Sequence, residues 1–225
     1  LATTWTDQDP EFEARLAALA AAGASLGELG RLAGSEQAQE WGRLANENPP
    51  RLRTHDRYGN RVDEVTYDPA YHHLMRTGIG LGLGGTAWSD PSQTAHFERA
   101  VKSSVWGSVD AGHSCPLSMT YGVVPALRAN PELAGLYEPL LVSTTYDPGL
   151  RAPLSKAGLT AGMSMTEKQG GSDVRANRTT AVRDGEGWRV EGVGRCRFLV
   201  GADGAKSRVA ERTGLGRGRG ARAHR

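Results

Sequence analysis

The sequence is poor in cysteine, and this scarcity limits the kinds of site that it can form. Cys115 and Cys196 are the only two cysteines in 225 residues, too few for the disulfide framework of a small secreted protein. Neither has a pair of histidines nearby at the spacing of a zinc site. The six histidines also lack the spacing of a metal site or a catalytic triad. We therefore expect no metal, no disulfide and a cytoplasmic location.

Long apolar runs are missing as well. No stretch reaches the length of about 18 consecutive apolar residues that a membrane-spanning helix needs, so we expect no membrane partner. The first residues include Asp7, Asp9, Glu11 and Glu13, whereas a secretory signal begins with basic residues. The composition is that of a globular protein, although thirty glycines is a high number.

Positive charge is scarce in the body of the chain and concentrated at its end. Residues 195–225 contain nine Lys or Arg and two acidic residues, a balance of +7, and residues 1–194 contain eighteen basic and twenty-three acidic residues, a balance of −5. Clustered arginine binds phosphate with a steep dependence on salt. Phe198 is the only aromatic residue in that tail, so the tail lacks rings that would stack on bases. A solvated, poorly ordered tail is the alternative interpretation.

Helical periodicity dominates the first 150 residues. Apolar positions at helical spacing, together with capping residues, predict a series of helices. They cover residues 9–22, a short helix capped at Ser25, residues 35–47, residues 68–77, a long helix opened by Asp90-Pro91 and broken at Cys115-Pro116, and two more helices separated by Asn130-Pro131. Residues 51–67 are expected to form an irregular connection with a turn at 56–59. We therefore predict an all-helical N-terminal domain over residues 1–153.

A glycine-rich run at residues 78–85 resembles a dinucleotide-binding loop, but its surroundings argue against that function. Such a loop follows a strand and opens a helix within a βαβ unit. Here a predicted helix comes before the run. We predict a close-packed junction between helices instead.

The period changes from 3.6 to 2 near residue 154. Leu159, Ala161, Met163 and Met165 alternate with polar or small residues, which predicts a strand with one apolar face. The strand leads into a turn with two adjacent glycines, Gly170 and Gly171, flanked by the hydroxyls of Thr166 and Ser172. Such a turn can offer N–H and hydroxyl groups to an anionic, planar ligand. An ordinary strand-to-loop exit remains the alternative.

Two further strands are expected at residues 179–182 and 188–190, joined as a hairpin through Asp184-Gly185-Glu186-Gly187. The predicted fold class is α+β, with an N-terminal all-α domain and the truncated start of a β domain at residues 154–192. Residues 193–225 are predicted to be a divergent, poorly ordered tail.

The segment from Met165 to Asp173 resembles the flavin-binding signature of the acyl-CoA dehydrogenases. Its Lys168-Gln169-Gly170-Gly171 variant is similar to the alkylation-response, AidB-like branch of that family. Residues 42–50, 67–72 and 115–120 agree with the same branch. The resemblance covers about residues 25 to 192 in one register.

This resemblance implies an FAD-dependent oxidoreductase that removes an α-proton and a β-hydride from an acyl-CoA. It implies that the flavin contacts are Met165, Thr166, Gly170, Gly171 and Ser172, and that Lys168 and Val174 contact the substrate. Glu167 and Asp173 form a possible acid–base pair, but we interpret both as turn and capping groups, because the family's catalytic base lies in a C-terminal helical bundle. No catalytic residue is therefore predicted here.

The same resemblance implies a homotetramer for the intact family and duplex DNA as a possible partner of the alkylation-response branch. We expect the chain to lack the C-terminal bundle, the catalytic glutamate and most adenine-side FAD contacts. It should therefore bind FAD weakly and lack full activity. A non-catalytic, DNA-associated protein of the alkylation response is the alternative function.

The tail contains a second resemblance that conflicts with the first. Residues 198–209 are similar to the Asp-Gly element of FAD-dependent aromatic hydroxylases, with Asp203 as the acidic residue. That pattern usually ends in Arg, where this chain has Ala210, and it needs a Gly-x-Gly-x-x-Gly turn that residues 1–40 lack. A hydroxylase fragment is thus the third hypothesis, and a fusion or frameshift is our preferred explanation of the tail.

Overall fold

The computed structural model describes residues 23–163, 167, 173–176, 178–184 and 187–191, and it has an α+β fold. Six helices and two β-hairpins make up most of this part of the chain. The helices are α1 (Gly23–Ala33), α2 (Glu36–Glu47), α3 (Pro69–Gly80), α4 (Ala95–Gly107), α5 (Ser114–Leu127) and α6 (Pro131–Leu141). The strands are β1 (Arg51–His55), β2 (Arg61–Thr66), β3 (Thr180–Asp184) and β4 (Gly187–Glu191), with single 3-10 turns at Thr86–Trp88, Pro153–Ser155 and Val174–Ala176.

Three helices begin where their capping residues predict. The Ser35 hydroxyl accepts a hydrogen bond from the backbone N–H of the third residue of α2, and Asn130 caps α6 in the same way. Asp68 caps α3 through the N–H of Ala70, at 2.8 Å. Pro69 and Pro131 follow as first helical residues, a position where the missing N–H costs nothing.

Other predicted boundaries are wrong. Ser25 lies within α1 (Gly23–Ala33), so it does not cap that helix. Helix α4 begins at Ala95, after a turn in which Asp90 accepts a hydrogen bond from the Ser92 N–H. Pro116 does not end a helix but lies in the first turn of α5, where proline is tolerated. The helix predicted at residues 9–22 lies outside the described residues.

The prediction of an irregular connection at residues 51–67 is also wrong, because β1 and β2 form an antiparallel hairpin there. The predicted turn becomes its loop, in which Asp56 accepts from the N–H groups of Tyr58 and Asn60 and Gly59 has a φ of 82°. Every residue of β1 is exposed, so the strands lack the buried apolar face that would reveal them in the sequence. The N-terminal domain is therefore not purely helical.

The main core lies between α1, α2, α3 and α4, with α5 closing one side. Trp106 of α4 is fully buried, and its indole N–H donates to the Leu74 carbonyl of α3 at 3.2 Å. The side chains around it are apolar. They are Leu29, Ala33, Ala38, Leu74, Met75, Ile79, Leu83, Val109 and Leu117.

One histidine is sealed in this core. His113 is fully buried beside Trp106, and its Nδ1–H donates to the Asp110 carboxylate at 3.2 Å. Burial lowers the pKa of His113 more than the nearby Asp110 carboxylate raises it. The lowered pKa favours the neutral ring, which packs edge-on against Trp106.

The glycine-rich run forms the predicted close junction. Helix α3 continues through Gly80, and residues 81–85 turn the chain into the 3-10 turn at Thr86–Trp88. A Cβ on Gly85 would lie 2.7 Å from the Leu141 carbonyl oxygen of α6, closer than real side chains come. Gly85 thus lets the loop after α3 approach the end of α6, and a helix, not a strand, leads into the run.

A second core lies between α5 and α6. Val124, Tyr137, Leu141 and Leu159 are its buried members. Residues 158–163, here called the entry segment, run across this core without pairing with any strand that the structure describes. The strand predicted from Leu159 to Met165 is therefore wrong over its described part. The burial of these residues does not alternate, since Leu159 is buried and Met163 is exposed.

Strands β3 and β4 pair as the predicted hairpin. Their register places Asp184 opposite Gly187 and Thr180 opposite Glu191. Within the described residues, no helix is both long and apolar enough to cross a membrane. The predicted domain boundary near residue 153 stays a prediction.

Candidate functional site

Most of the predicted cofactor and substrate residues lie outside the described part of the chain. These are Met165, Thr166, Lys168, Gly170, Gly171 and Ser172. Val174 belongs to the 3-10 turn at Val174–Ala176, but its side chain is not among those described. The structure does describe the residues that flank this group: the entry segment, Glu167 and Asp173. The candidate site is built from these flanks.

The entry segment is fixed to the helical core at three points. The Leu159 N–H donates to the Leu140 carbonyl of α6 at 3.0 Å. The Ala161 N–H donates to the Thr120 hydroxyl of α5 at 3.0 Å. The Met163 N–H donates to the Met119 sulfur of α5 at 3.1 Å. The bonds fall on alternate residues, so the same edge of the backbone faces the helices each time.

Thr120 can accept the bond from Ala161 because of its position within α5. It is fully buried, and its hydroxyl donates to the Pro116 carbonyl one turn earlier at 2.7 Å. That bond uses the hydroxyl proton and leaves an oxygen lone pair for the Ala161 N–H. The sequence does not predict this role, because no local pattern around a threonine inside a helix indicates which distant residue will bond to its hydroxyl.

The Glu167 carboxylate accepts hydrogen bonds from residues that lie just before strand β3. Its Oε2 accepts a hydrogen bond from the Arg178 N–H at 2.8 Å, and its Oε1 accepts from the Thr179 N–H at 2.7 Å and also from the Thr179 hydroxyl. Both oxygens of the carboxylate are therefore engaged with the chain just before β3. This arrangement confirms that Glu167 is a turn group.

Asp173 has a similar, more local function. Its Oδ1 accepts from the Arg175 N–H at 3.1 Å, and its carbonyl accepts from the Ala176 N–H at 3.1 Å. These bonds open the 3-10 turn at Val174–Ala176 in the manner of an Asx turn. Asp173 is thus a capping residue, as predicted. The two carboxylates are used for structure and do not form an acid–base pair.

The other clusters of titratable side chains hold the helical domain together. His72 Nδ1 lies 2.8 Å from the Tyr146 hydroxyl, and burial raises the pKa of Tyr146 to about 12 and lowers the pKa of His72. His73 points elsewhere and stacks on Trp41, with ring centroids 4.7 Å apart. The two neighbouring histidines therefore point in different directions. In the described ranges, no three His, Cys, Asp or Glu are grouped as a metal would require.

Most of the chain matches a known protein family. Residues 3–148 match the model of the adaptive response protein AidB N-terminal domain. The chain belongs to the AidB N-terminal domain family. This membership confirms the resemblance to the AidB-like branch of the acyl-CoA dehydrogenases.

Two curated relatives of this AidB-type chain are acyl-CoA dehydrogenase family members. It is 39% identical over 160 residues to the putative acyl-CoA dehydrogenase AidB of Escherichia coli strain K12, covering 70% of this chain and 30% of that protein. It is 30% identical over 162 residues to acyl-CoA dehydrogenase family member 11 of Caenorhabditis elegans, covering 70% of this chain and 26% of that protein. The AidB-type chain thus spans less than a third of either relative.

The fold of this chain is similar to two solved structures. The apo form of Bd2924 matches with a TM-score of 0.62 and 26% identity, over 78% of this chain and 35% of that one. The structure of Caenorhabditis elegans ACDH-11 in complex with C11-CoA matches with a TM-score of 0.61 and 28% identity, over 80% of this chain and 30% of that one. These neighbours confirm the predicted α+β class.

Proposed function

We propose that residues 163–179 of this chain form part of the flavin site of an FAD-dependent, acyl-CoA dehydrogenase-like oxidoreductase. Family membership supports the general class. The observation that carries the proposal is the anchoring of the motif on both sides. Met163 is bonded to α5, and Glu167 is bonded to the start of the β3–β4 hairpin. A site for a rigid planar ligand needs such fixed flanks.

The chemistry of the available groups fits FAD. Thr166 and Ser172 offer hydroxyls, and Gly170 and Gly171 offer N–H groups with no side chain between them and a ligand. The neighbouring carboxylates of Glu167 and Asp173 accept hydrogen bonds from residues 175, 178 and 179. These hydrogen bonds offset part of the negative charge of the two carboxylates, which lessens their repulsion of an anionic pyrophosphate nearby.

In this proposal FAD supplies the hydride acceptor, and the chain's own residues bind and orient it. Thr166 donates to the pyrimidine edge of the flavin and stabilises charge there, and Ser172 donates toward the pyrophosphate. Lys168 and Val174 contact an acyl-CoA substrate. A complex with C11-CoA is known for the related ACDH-11, which supports this substrate class. Both Glu167 oxygens accept hydrogen bonds from the chain just before β3, which supports a structural role for this carboxylate and not that of the catalytic base.

Titration with FAD tests the proposal. We expect the purified chain to bind FAD weakly enough to lose it on gel filtration, with affinity reduced a further tenfold or so in Thr166→Val, because one hydrogen bond to a charged or polarised group is lost. Quenching of flavin fluorescence measures the affinity. Thr144→Val, at an exposed position between α6 and the 3-10 turn at Pro153–Ser155, is the control.

Equal FAD affinity for Thr166→Val and wild type would contradict the assigned flavin contact. A chain that is yellow as purified and reduces a dye with isovaleryl-CoA would support the flavin site, but it would contradict the expectation of weak FAD binding and incomplete activity.

A role in the response to DNA alkylation is the second part of the proposal, supported by the identity to AidB and by the balance of +7 in residues 195–225. Duplex DNA is the proposed partner. We expect binding that weakens about a hundredfold or more between 50 and 200 mM salt and that is largely lost when residues 195–225 are deleted. Fluorescence anisotropy with a labelled duplex measures both. Salt-independent binding, or binding that survives the deletion, would contradict this role.

A further inference from the structure

The last of the three bonds that fix the entry segment to the helices differs from the other two in its acceptor. Leu159 and Ala161 donate to oxygen atoms, a backbone carbonyl and a side-chain hydroxyl. Met163 donates instead to the thioether sulfur of Met119, at 3.1 Å. A thioether sulfur is a weak acceptor, and it differs from the two oxygens in that it can be oxidised, to a sulfoxide.

We propose that Met119 is a methionine oxidation site, and that its sulfoxide releases the end of the entry segment from α5. Peroxides are the proposed class of oxidant. A lone pair on the Met119 sulfur attacks a peroxide oxygen, the O–O bond breaks, and that oxygen stays on the sulfur as S=O. With hydrogen peroxide the other oxygen leaves as water, so the sulfur loses two electrons and the peroxide gains them. This proposal does not depend on the proposed flavin site.

Exposure distinguishes Met119 from the methionine of the main core. Met119 is partly exposed on α5, and Met163, whose N–H it accepts, has a side chain that is 55% exposed. Met75 in the main core is only 2% exposed. Oxidation requires contact between the peroxide and the sulfur. Met119 and Met163 are therefore open to peroxide in the folded protein, whereas Met75 is reached only when the core opens.

The geometry of the bond makes it sensitive to oxidation. The Met163 nitrogen lies only 3.1 Å from the Met119 sulfur, and an N–H···O bond by itself needs about 2.9 Å between nitrogen and oxygen. An oxygen added between the two atoms would therefore displace the N–H. An oxygen added on the other side draws electrons from the sulfur, which then no longer accepts. In either case the N–H···S bond is lost.

The neighbouring bonds confine this effect to the end of the entry segment. Thr120 follows Met119 in α5 and is fully buried, and it accepts from the Ala161 N–H through an oxygen that peroxide does not oxidise. Leu159 is buried and donates to a backbone carbonyl. Oxidation should therefore free Met163 while Ala161 and Leu159 stay bonded to the helices. The expected change is local and is not an unfolding of the second core.

The test treats the full chain with hydrogen peroxide. A background of Cys115→Ser and Cys196→Ser prevents thiols, including the exposed thiol of Cys115, from reacting first. Fragmentation mass spectrometry locates each sulfoxide. Amide exchange at Met163, Ala161 and Leu159 reports the three bonds separately.

We expect Met119 to oxidise at least about tenfold faster than Met75. Exchange at Met163 should then become about fivefold faster, as expected for the loss of one neutral hydrogen bond, with exchange at Ala161 unchanged. Two variants assign the effect, because leucine replaces methionine with little change of volume. Met163→Leu should respond to peroxide in the same way at that amide, because its N–H and Met119 remain. Met119→Leu should exchange fast at Met163 before treatment and show no further change after it.

Oxidation of Met119 as slow as that of Met75 would overturn the proposed site. Complete oxidation of Met119 with unchanged exchange at Met163 would overturn the release. Peroxide that accelerates exchange at Met163 in the Met119→Leu variant would also overturn it, since another residue would then be responsible. A methionine sulfoxide reductase that restores slow exchange in the oxidised protein would support release through Met119.

Discussion

Gly42→Ala is expected to destabilise the protein by about 3 kcal/mol, since overpacking a rigid contact has costs of this order. Gly42 is buried in the middle of α2. A Cβ at this position would overlap the carbonyl oxygen of Val109 and lie 3.2 Å from its carbonyl carbon. The obstacle is backbone at the end of α4, so no rotamer change can relieve it. Urea unfolding followed by circular dichroism measures the loss.

Gly30→Ala is the matched control for this prediction. Gly30 is also helical, in α1, but it is exposed and nothing lies within 4 Å of an added Cβ. Alanine there should stabilise the protein by about 0.5–1 kcal/mol, because it reduces the freedom of the unfolded chain and favours the helix. If both variants lower stability equally, the approach of α2 to Val109 is not as close as the structure shows.

Thr120→Val is expected to cost about 2 kcal/mol and to loosen the entry segment. The variant keeps the shape of the side chain but removes a hydroxyl that donates to Pro116 and accepts from Ala161. The Ala161 N–H then loses its partner, and an unsatisfied buried donor costs about 1–3 kcal/mol. Urea unfolding measures the stability, and amide exchange at Ala161 measures the detachment.

Thr120→Ser provides the comparison. Serine keeps the hydroxyl and loses one methyl, for which the expected cost is about 1 kcal/mol. Exchange at Ala161 should stay slow in this variant. Fast exchange at Ala161 in both variants, or slow exchange in both, would show that the Thr120 hydroxyl does not hold the entry segment.

The sequence predicts helices well where local signals are strong. Ser35, Asp68 and Asn130 lie at predicted helix boundaries and cap their helices, because a capping side chain bonds to residues only two or three positions away. The β3–β4 hairpin is predicted for the same reason, since a short glycine-containing connection sets its register.

Prediction fails where the deciding partner is distant or where no face is buried. The β1–β2 hairpin has an entirely exposed first strand, so alternating hydrophobicity is absent. The entry segment shows the opposite error. Its alternation between Leu159 and Met163 suggests a strand, but its bonds go to helices α5 and α6.

The sequence alone determined the helix boundaries at Ser35, Asp68 and Asn130, the twin-glycine motif with its hydroxyls, and the family to which that motif points. Each of these depends on residues that are neighbours along the chain. The tertiary structure decided how that motif is held. Thr120 meets Ala161 across 41 positions, and Glu167 turns its carboxylate to Arg178 and Thr179 instead of a substrate. The packing of whole helices determines which of these distant groups come within hydrogen-bond distance. A local sequence pattern therefore does not predict such pairs.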